Sequence, residues 1–389
     1  MLAVQPSPVR GVRWPRAVHP RAMPGQGIIS EPCSQTSLMS DAESIERLRR
    51  IGWRGDALPA GGLKLARVVA QHRAGYELHD GQTLFGAQPD GRFLKRGIDP
   101  GERPAVGDFV EVAMGTPPHI VSVSPRRTAL TRAAAGERYE RQLIATNIDY
   151  VLVLTGLDGD FNPARIERYL SLTEDSGAQP VVLLSKLDIR ADAQQPIDAL
   201  RARLPASTPI HALNSKDPAS VALLAPYLQP GDSAVLVGSS GAGKSTLTNT
   251  LLGTATMATA AVRSHDSRGR HTTTYRALLQ LPSGGCLIDT PGMRELKLTG
   301  EENLDLFADI GVLAEQCRFA DCGHGSEPGC AIQMALDQGG LTPERWRNYL
   351  KLHDEREEQA ATLEARLRRQ RGGRPIERPH GHRGQREKE

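Results

Sequence analysis

The sequence predicts a multidomain α/β protein, in which a small β-barrel precedes a doubly wound sheet and a short helical domain follows the sheet. Three observations support this fold class. Short strands separated by turn signals fill residues 62–125, strands and helices alternate from Asp149 onward, and three cysteines and a histidine cluster within residues 317–330. Alternating strands and helices are typical of a doubly wound, mainly parallel sheet. A chain of 389 residues is long enough for two or three such domains.

Five regions follow from this pattern. We expect a disordered leader over residues 1–40, the barrel with an N-terminal helix over 41–128, the doubly wound domain over 129–300, a helical domain with the cysteine and histidine cluster over 301–365, and a basic disordered tail over 366–389. The first 30 residues contain no acid, so an organellar presequence and a start at Met39 both stay open as interpretations of the leader.

The net charge of +3 is unevenly placed along the chain. Between Arg366 and Glu389 there are nine Lys or Arg residues against three acids, which favours a polyanionic partner such as nucleic acid; a solubilising tail is the alternative. No segment approaches the ~20 apolar residues of a membrane span. The few cysteines fit a reducing compartment better than a disulfide scaffold, and we expect a cytoplasmic protein.

The barrel domain should begin with a helix over residues 42–51, for which Ser40 and Glu43 form a capping box. Strands are predicted at residues 63–70, 75–79, 83–85, 109–112 and 119–123. Five strands in about 60 residues suit a barrel of the OB type, which often binds oligonucleotides, although an SH3-like or purely structural barrel fits as well. Basic residues here would either bind RNA or form a solvated face: Lys64, Arg67, Arg73, Arg92, Lys95, Arg96 and Arg103.

In the second domain, strands are predicted at residues 150–155, 180–184, 210–213 and 234–237, and helices at 163–175, 191–204, 221–228 and 246–252. The last strand runs into the pattern G-x-x-x-x-G-K-[ST] of a phosphate-binding P-loop, and a helix follows it, which is the context that the motif needs. Backbone N–H groups of such a loop surround phosphate oxygens. We expect Lys244 to reach the β- and γ-phosphates and the Ser245 hydroxyl to bind Mg²⁺. The predicted contacts are Gly238, Ser239, Ser240, Gly241, Ala242, Gly243, Lys244, Ser245 and Thr246.

Two further motifs indicate a guanine nucleotide, GTP or GDP. Asp289 and Gly292 form D-x-x-G after an apolar strand; the carboxylate can hold Mg²⁺ through water, and the Gly292 N–H can sense the γ-phosphate. A second strand ends in S-K-L-D, where GTPases have N-K-x-D. There the aspartate accepts hydrogen bonds from guanine N1 and N2, the lysine packs its stem over the base, and serine is shorter than the usual asparagine. These residues are Ser185, Lys186, Leu187 and Asp188.

The order of these motifs is unusual. The base-recognition motif lies about 50 residues before the P-loop, whereas a standard small GTPase has it last. This order predicts a circular permutation, which can assemble the same site because the termini of compact domains lie at the surface and often close together. The D-x-x-G loop then lies near the end of the domain, so the segment after it is attached directly to a nucleotide-sensing loop.

A third segment, G-R-H-T-T-T, lies between the P-loop and D-x-x-G. A threonine here can complete the Mg²⁺ shell, and Thr273 is favoured over its neighbours without firm discrimination. Met293 follows Gly292 where Ras-like enzymes use glutamine to orient water, so His271 becomes the candidate for that role. A solvent-facing histidine is the alternative. We expect slow intrinsic hydrolysis that needs a partner's help.

The cysteines and histidine of the C-terminal domain have the spacing C-x₄-C-x-H-x₅-C. Three thiolates and one imidazole match a closed, tetrahedral, structural site for one Zn²⁺, with unrelated free cysteines as the alternative. The predicted ligands are Cys317, Cys322, His324 and Cys330. A helix should then begin with Thr342 as its cap and Pro343 at its first position, and continue to about Leu367.

Together, the barrel, the permuted GTPase motifs and the C-x₄-C-x-H-x₅-C pattern resemble the bacterial small-ribosomal-subunit-dependent GTPases of the RsgA family, also called YjeQ or EngC, over about residues 45–355. The resemblance implies an OB-fold, a permuted GTPase domain and a zinc-binding domain. It also implies GTP hydrolysis stimulated by the 30S subunit, and a role in late maturation of that subunit near its decoding region. By the same match, His271 is the implied catalytic residue, and the partners are the 30S subunit and its 16S rRNA.

Two classes of function are therefore weighed. The first is a ribosome-assembly GTPase that changes its affinity for rRNA on hydrolysis, with a monomer as the default state. The second is an RNA-binding module whose nucleotide site is only structural or regulatory. Lys244, Ser245 and Asp289 form a full phosphate and Mg²⁺ set, which argues against the second class. A P-loop ATPase or kinase is a third option, and Asp188 disfavours it because adenine lacks the matching donors.

Overall fold

A β-barrel and an α/β sheet are joined in one hydrogen-bonded array of eleven strands. The computed structural model describes residues 41–72, 75–95, 98–133, 141–190, 192–253, 276–290 and 304–371. These residues all fall within one compact unit, residues 40–389. The two parts meet where a barrel strand pairs with an edge strand of the α/β sheet, Ala70 lying opposite Ala277.

The barrel contains five strands and follows helix α1 (Asp41–Arg50). Its strands lie in the order β1-β2-β3-β5-β4, and a further β1–β4 pairing closes it. The β3–β5 pairing is parallel, as in an OB-type barrel. The interior is apolar, with Val68, Leu78 and Val110 fully buried. The predicted small barrel is confirmed, with the bounds β1 (Lys64–His72), β2 (Gly75–His79), β3 (Leu84–Pro89), β4 (Phe109–Ala113) and β5 (His119–Val123).

A hairpin that the sequence did not predict connects the barrel to the α/β sheet. Its strands, β6 (Ala129–Ala133) and β7 (Arg141–Thr146), pair with each other in a separate two-stranded sheet. The strands are only partly apolar, and the buried residues of β6 do not alternate regularly. Local periodicity therefore gives a weak signal here.

The α/β sheet contains β8 (Tyr150–Gly156), β9 (Gln179–Ser185), β10 (Ile210–Ala212), β11 (Ser233–Gly238), β12 (Ala277–Gln280) and β13 (Cys286–Asp289). Strands β10, β9, β8, β11 and β13 are parallel in that spatial order. Strand β12 is antiparallel to β13 and pairs with β1 on its other side. The predicted mainly parallel sheet is confirmed, and β12 is an addition to it.

Helices cover both faces of this sheet: α2 (Pro163–Glu174), α3 (Gln194–Arg201), α4 (Pro218–Val221) and α5 (Lys244–Leu252). Alternate residues of β8 belong to opposite cores. Val151 and Val153 pack with residues of α2 and α3, whereas Leu152 and Leu154 pack with residues of α4 and α5. The helix predicted at 221–228 is a 3₁₀ turn over Ala222–Tyr227, because Pro226 lies inside it and removes a backbone donor.

The C-terminal part contains α6 (Ala308–Glu315), α7 (Ala331–Asp337) and the long α8 (Pro343–Arg371). Its apolar residues, among them Phe307, Ile332 and Leu352, belong to the same core as the α2 side of the sheet. Helix α8 begins at Pro343 as predicted. Among the helices that the structure describes, none is long and apolar enough to cross a membrane. The five-region division of the chain stays a prediction.

Candidate nucleotide site and metal-binding cluster

Three of the predicted motif regions meet at one edge of the α/β sheet. The P-loop follows β11, the S-K-L-D motif begins at the last residue of β9, and Asp289 is the last residue of β13. These strands are parallel, so their carboxyl ends lie at the same edge, where ligands of open α/β sheets bind. The site is therefore assembled although its parts occur in a rotated order along the chain.

The P-loop approaches the neighbouring strand so closely that glycine is required. Gly238 has φ of 148°, and a Cβ atom there would lie 2.2 Å from the carbonyl oxygen of Leu154. Gly243 adopts the left-handed conformation, φ 101°, directly before α5. Ala242 is buried, Ser240 and Gly241 are exposed, and Ser245 and Thr246 are half-buried. The exposed turn leaves backbone N–H groups available at the start of a helix, as phosphate binding needs.

Lys244 is buried beneath this loop, with only 7% of its surface exposed. Its Nζ donates to the carbonyl oxygens of Gly238, at 2.7 Å, and Ser239, at 2.8 Å. Burial lowers the pKa of Lys244 to about 8, while the carboxylates of Asp289 and Asp160 act in the opposite direction. The ammonium group is thus held in place by the loop and remains largely protonated at neutral pH.

The carboxylate of Asp289 is buried and lacks the hydrogen-bond partners that a buried charge usually has. It is 1% exposed, and neither carboxylate oxygen has a hydrogen-bond partner among the described residues. Burial raises its pKa to about 6, and Lys244 opposes that rise. A buried carboxylate without partners is costly unless it is paired or binds a metal. The Asp289 carboxylate and the Ser245 hydroxyl supply oxygen ligands of the kind that Mg²⁺ prefers, so the residues present fit this ion.

In the base-recognition motif, Ser185 binds the P-loop. It is fully buried, and its Oγ donates to the carbonyl oxygen of Ala242 at 2.6 Å, while the carbonyl oxygen of Thr155 lies 3.1 Å away. A hydroxyl has a single proton, so it can donate to only one of them at a time. Ser185 therefore joins the base-recognition loop to the P-loop. The serine hydroxyl makes this contact without the longer side chain of asparagine. Leu187 completes the loop, its N–H donating to Leu213 at 3.2 Å.

The charged residues of this motif have partners that the sequence did not predict. Lys186 has a positive φ of 64° and forms a salt bridge with Asp158. Asp188 pairs with Lys216 Nζ at 2.8 Å, and this hydrogen bond lowers the pKa of the Asp188 carboxyl group. The carboxylate is therefore ionised at neutral pH, as an acceptor for guanine N1 and N2 must be.

Lys216 belongs to a loop after β10 that sequence reasoning missed. Its neighbour Ser215 has a buried hydroxyl without a partner among the described residues. A Cβ atom on Gly243 would lie 3.7 Å from that hydroxyl and 3.8 Å from the hydroxyl of Ser185. The loop thus lies beside both the P-loop and the base motif. The sequence could have indicated this loop, because it follows a predicted strand and ligands bind at the carboxyl ends of parallel strands.

Three predicted site residues lie outside the described residues: His271, Thr273 and Gly292. The same holds for Met293 and for the rest of the G-R-H-T-T-T segment. Their roles stay predictions.

The four residues of the C-terminal cluster come together as predicted. The potential ligand atoms of Cys317, Cys322, His324 and Cys330 all lie within 4.8 Å of one another. The Sγ atoms of Cys317 and Cys330 are 3.9 Å apart, and Nδ1 of His324 lies 3.5 Å from the first of them. Zn–S bonds of about 2.3 Å in a tetrahedron place two sulfurs about 3.8 Å apart, so the cluster fits Zn²⁺.

Neighbouring residues hold the histidine of this cluster in position. His324 has a positive φ of 55°, its carbonyl oxygen accepts from Gln333 Nε2 at 2.6 Å, and its ring packs edge-on against Trp346 of α8. Cys330 precedes α7, and its Sγ accepts from the N–H of Gln333 at 3.5 Å. Such supporting contacts orient metal ligands.

Comparison with known proteins identifies relatives of this chain. The family model described as RsgA GTPase matches residues 123–299. A protein of Xanthomonas euvesicatoria pv. vesicatoria named "Small ribosomal subunit biogenesis GTPase RsgA" is 54% identical over 305 residues, which cover 78% of this chain and 83% of the relative. A protein of the same name from Xylella fastidiosa strain 9a5c is 51% identical over 292 residues, covering 75% and 85%.

Two solved structures share the fold. The crystal structure of YjeQ from Thermotoga maritima has a TM-score of 0.54 at 24% identity, covering 75% of this chain and 98% of that one. The structure of YloQ, described as a circularly permuted GTPase, has a TM-score of 0.51 at 23% identity, covering 78% and 98%. The permuted topology predicted from the motif order is confirmed by these matches.

Proposed function

The chain belongs to the RsgA GTPase family, and from that premise we propose that it hydrolyses GTP in the biogenesis of the small ribosomal subunit. The observation that carries the catalytic part is the meeting of P-loop, base motif and Asp289 at one edge of the sheet. The printed name of the relatives supports the ribosomal part.

For nucleotide binding, we propose a separate role for each loop. P-loop N–H groups from Gly238 to Ser245, with Thr246, surround the phosphates, and Lys244 neutralises the β- and γ-phosphate charge. Asp188 accepts from guanine N1 and N2, and the stem of Lys186 packs on the base. Ser245 and Asp289 would hold Mg²⁺, together with Thr273. Bound Mg²⁺ supplies charge neutralisation at the phosphate oxygens.

Hydrolysis breaks the bond from the γ-phosphorus to the bridging oxygen and forms a bond from that phosphorus to the oxygen of water. The chain's residues contribute mainly by positioning and by charge, since phosphoryl transfer requires little covalent help from the protein. Lys244 is already fixed by two carbonyl oxygens, so its charge is in place before the reaction. We propose that His271 positions the attacking water and that the Gly292 N–H responds to loss of the γ-phosphate.

The finer partner assignments are also proposals. The 30S subunit, bound through its 16S rRNA, would stimulate turnover late in its maturation. The protein would act as a cytoplasmic monomer, and the Cys317, Cys322, His324 and Cys330 cluster would hold one structural Zn²⁺. Closed four-ligand sites of this type contribute folding energy rather than chemistry.

The first test is GTP turnover by the purified protein, with and without 30S subunits, with ATP as the control substrate. We expect slow turnover alone, strong stimulation by 30S subunits, and no comparable effect with ATP. Equal turnover with and without 30S subunits would remove the subunit from the proposal and favour an RNA-binding module with a regulatory nucleotide site. Lys244→Ala should abolish the reaction.

A second test separates binding from chemistry. His271→Ala should keep GTP affinity while losing the turnover stimulated by 30S subunits, because a water-positioning residue acts after the substrate is bound. Unchanged stimulated turnover would exclude His271 from the mechanism.

A further inference from the structure

The loop of residues 157–162, between β8 and α2, contacts both halves of the nucleotide site, and none of the motifs assigns it a role. We propose that Asp158 and Asp160 of this loop are positioning residues for the guanine nucleotide. Asp158 holds the base-recognition lysine Lys186, and Asp160 holds Ser239 of the P-loop. This inference rests on the proposed nucleotide site.

Asp158 fixes a lysine whose backbone is already constrained. Lys186 has a positive φ, and its Nζ forms a salt bridge with Asp158 Oδ2, both side chains being less than half exposed. A Cβ atom on Gly156 would lie 3.2 Å from Lys186 Cδ and Nζ, so the lysine stem passes directly over this glycine. The N–H of Leu157 donates to Ser185 at 2.9 Å and joins the two loops again. The Lys186 side chain is therefore held in one orientation before guanine binds.

Asp160 makes the corresponding contact with the phosphate half. Its Oδ2 accepts from the Oγ of Ser239, which is 8% exposed, and its Oδ1 accepts from Arg165 in the first turn of α2. The carbonyl oxygen of the same serine accepts from Lys244 Nζ at 2.8 Å. A continuous series of hydrogen bonds thus runs from Arg165 through Asp160 and Ser239 to Lys244.

The loop does not need the Asp160 side chain for its own structure. Asn162 already caps α2, its side chain accepting from the N–H of Arg165 at 3.2 Å. Asp158 accepts from the N–H of Asp160 at 3.2 Å and so closes the turn. Both Asp160 oxygens point out of the turn instead, one to the P-loop and one to α2.

A carboxylate beside a phosphate site would ordinarily weaken anion binding, because like charges repel. Here Arg165 balances the charge of Asp160, and the serine hydroxyl occupies the oxygen on the P-loop side. The pair therefore orients the loop without adding net charge. Fixing binding groups in advance lowers the entropy lost on association and increases affinity.

A double-mutant cycle tests the Asp160 contact. GDP with a fluorescent N-methylanthraniloyl label is titrated into wild-type protein, Asp160→Ala, Ser239→Ala and the double variant. A hydrogen bond to a charged group supports an expected loss of about tenfold for each single variant. Both single changes break the Asp160–Ser239 hydrogen bond. The double variant should therefore lose no more affinity than Asp160→Ala alone, rather than the hundredfold expected of independent sites. Additive losses, or no loss, would overturn the proposal for Asp160.

The conservative variant Asp160→Asn gives a second readout. It keeps an oxygen for the serine hydroxyl but loses the charge facing Arg165, so we expect an intermediate loss of about threefold. A loss equal to that of the alanine variant would exclude the serine contact as the cause. This variant also serves if the alanine variant does not fold.

Asp158→Asn tests the base half. The base is common to both nucleotides, so GDP and a non-hydrolysable GTP analogue should each bind about fivefold more weakly than to wild type. A change for only one of them would contradict a role through Lys186. Asp198→Asn is the matched control, because this acid is exposed on α3 and its side chain contacts Gln194; it should not alter binding.

Failure of this inference is distinguishable from failure of the nucleotide site. If wild-type protein binds labelled GDP and Lys244→Ala weakens that binding, the site is supported. Unchanged affinity in the Asp158 and Asp160 variants then refutes only the positioning roles. If wild-type protein does not bind the nucleotide at all, the proposed site and this inference both fail.

Discussion

Two buried arginines connect the α/β sheet to its neighbours, and their charges are satisfied by different kinds of partner. Arg67 of β1 lies between the barrel and the sheet, and Arg345 of α8 lies between the C-terminal helices and α2. Both are almost fully buried, and each guanidinium packs over a phenylalanine ring, 5.1 Å from Phe109 and 4.9 Å from Phe307.

Arg67 is surrounded by neutral acceptors. It donates to the carbonyl oxygens of Ile51, Gly107 and Asn147 and to Ser233 Oγ, the last at 2.8 Å. Burial lowers the pKa of Arg67, and the neighbouring Cys286 thiol, Asp149 and Asp108 oppose that effect. Peptide carbonyls do not titrate, so this junction keeps its partners at any pH at which the backbone stays folded. It also joins four chain segments at once.

Arg345 is surrounded mainly by carboxylates, with the carbonyl oxygen of Leu306 as a neutral acceptor at 3.0 Å. It donates to Glu167 at 2.6 Å and to Asp309 at 2.8 and 3.0 Å. Although burial acts against the charge, hydrogen bonds from Arg345 to Asp309 raise its pKa. The pKa of Glu167, in contrast, is raised by burial in spite of Arg345. The ion pair therefore does not recover the whole cost of burying Glu167, which is the usual outcome for a buried salt bridge.

We therefore expect the barrel junction to stabilise the fold and the C-terminal junction mainly to specify a geometry. The largest change in stability is expected for Arg67→Met. This change leaves three backbone oxygens without a charged donor, and we expect a loss of about 3–5 kcal/mol in the free energy of unfolding, measured by urea denaturation. Arg67→Lys should rescue little of it, since an ammonium cannot match the fork of five donors. A loss below about 1 kcal/mol would remove the distinction between the junctions.

The second test compares a single variant with a double variant at the C-terminal junction. Arg345→Met leaves Glu167 buried without its main partner and should cost about 3 kcal/mol. The double variant Glu167→Leu with Arg345→Met removes both charges, so its stability should return to near that of the wild type. Equal losses in the single and double variants would mean that the ion pair itself stabilises the fold.

A smaller effect is expected where α2 meets α8 at the surface. Arg168 pairs with Glu355 at 2.7 Å, and both side chains are about one-fifth exposed. Arg168→Gln should cost at most about 1 kcal/mol, because a partly solvated pair gains little. The cost should shrink further in 1 M salt, which screens such pairs and leaves the Arg67 junction unaffected. Thermal unfolding at two salt concentrations measures both effects.

The smallest effect concerns pH. Burial and the charge of Asp305 raise the pKa of Glu174, on α2, from 4.5 to about 7. The folded state then binds more protons than the unfolded state between these values, so this group destabilises the fold as pH rises from about 4.5 to 7. The residue as a whole is exposed, and solvent screening reduces the effect to below about 1 kcal/mol. Glu174→Gln should therefore be more stable than wild type at pH 8 but not at pH 4. The opposite order would contradict the raised pKa.

The features that sequence reasoning predicted are those encoded locally. A P-loop needs only a strand, a glycine-rich turn and a helix in succession, and the cysteine and histidine cluster needs only short spacing within one segment. Both therefore appear where they were expected. The motif order predicted the permutation for the same reason, since each motif could be recognised on its own strand.

The features that were missed depend on contacts between distant segments. Arg67 was assigned to an RNA-binding or solvated face of the barrel, and it is fully buried instead, because its acceptors come from residues 51, 107, 147 and 233. No local pattern distinguishes such an arginine from a surface one. The same applies to Asp160, whose partner Ser239 lies 79 positions away.

The pairing of β1 with β12 has one more consequence, for association between copies of the chain. An unpaired edge strand offers a row of free N–H and C=O groups to which another chain can add a strand. Because the closed barrel covers the β12 side, the eleven-stranded array leaves β10 as its open edge among the described strands. That strand contains only three residues, Ile210–Ala212. The barrel thus covers one edge of the α/β sheet, and the short β10 offers few backbone groups at the other.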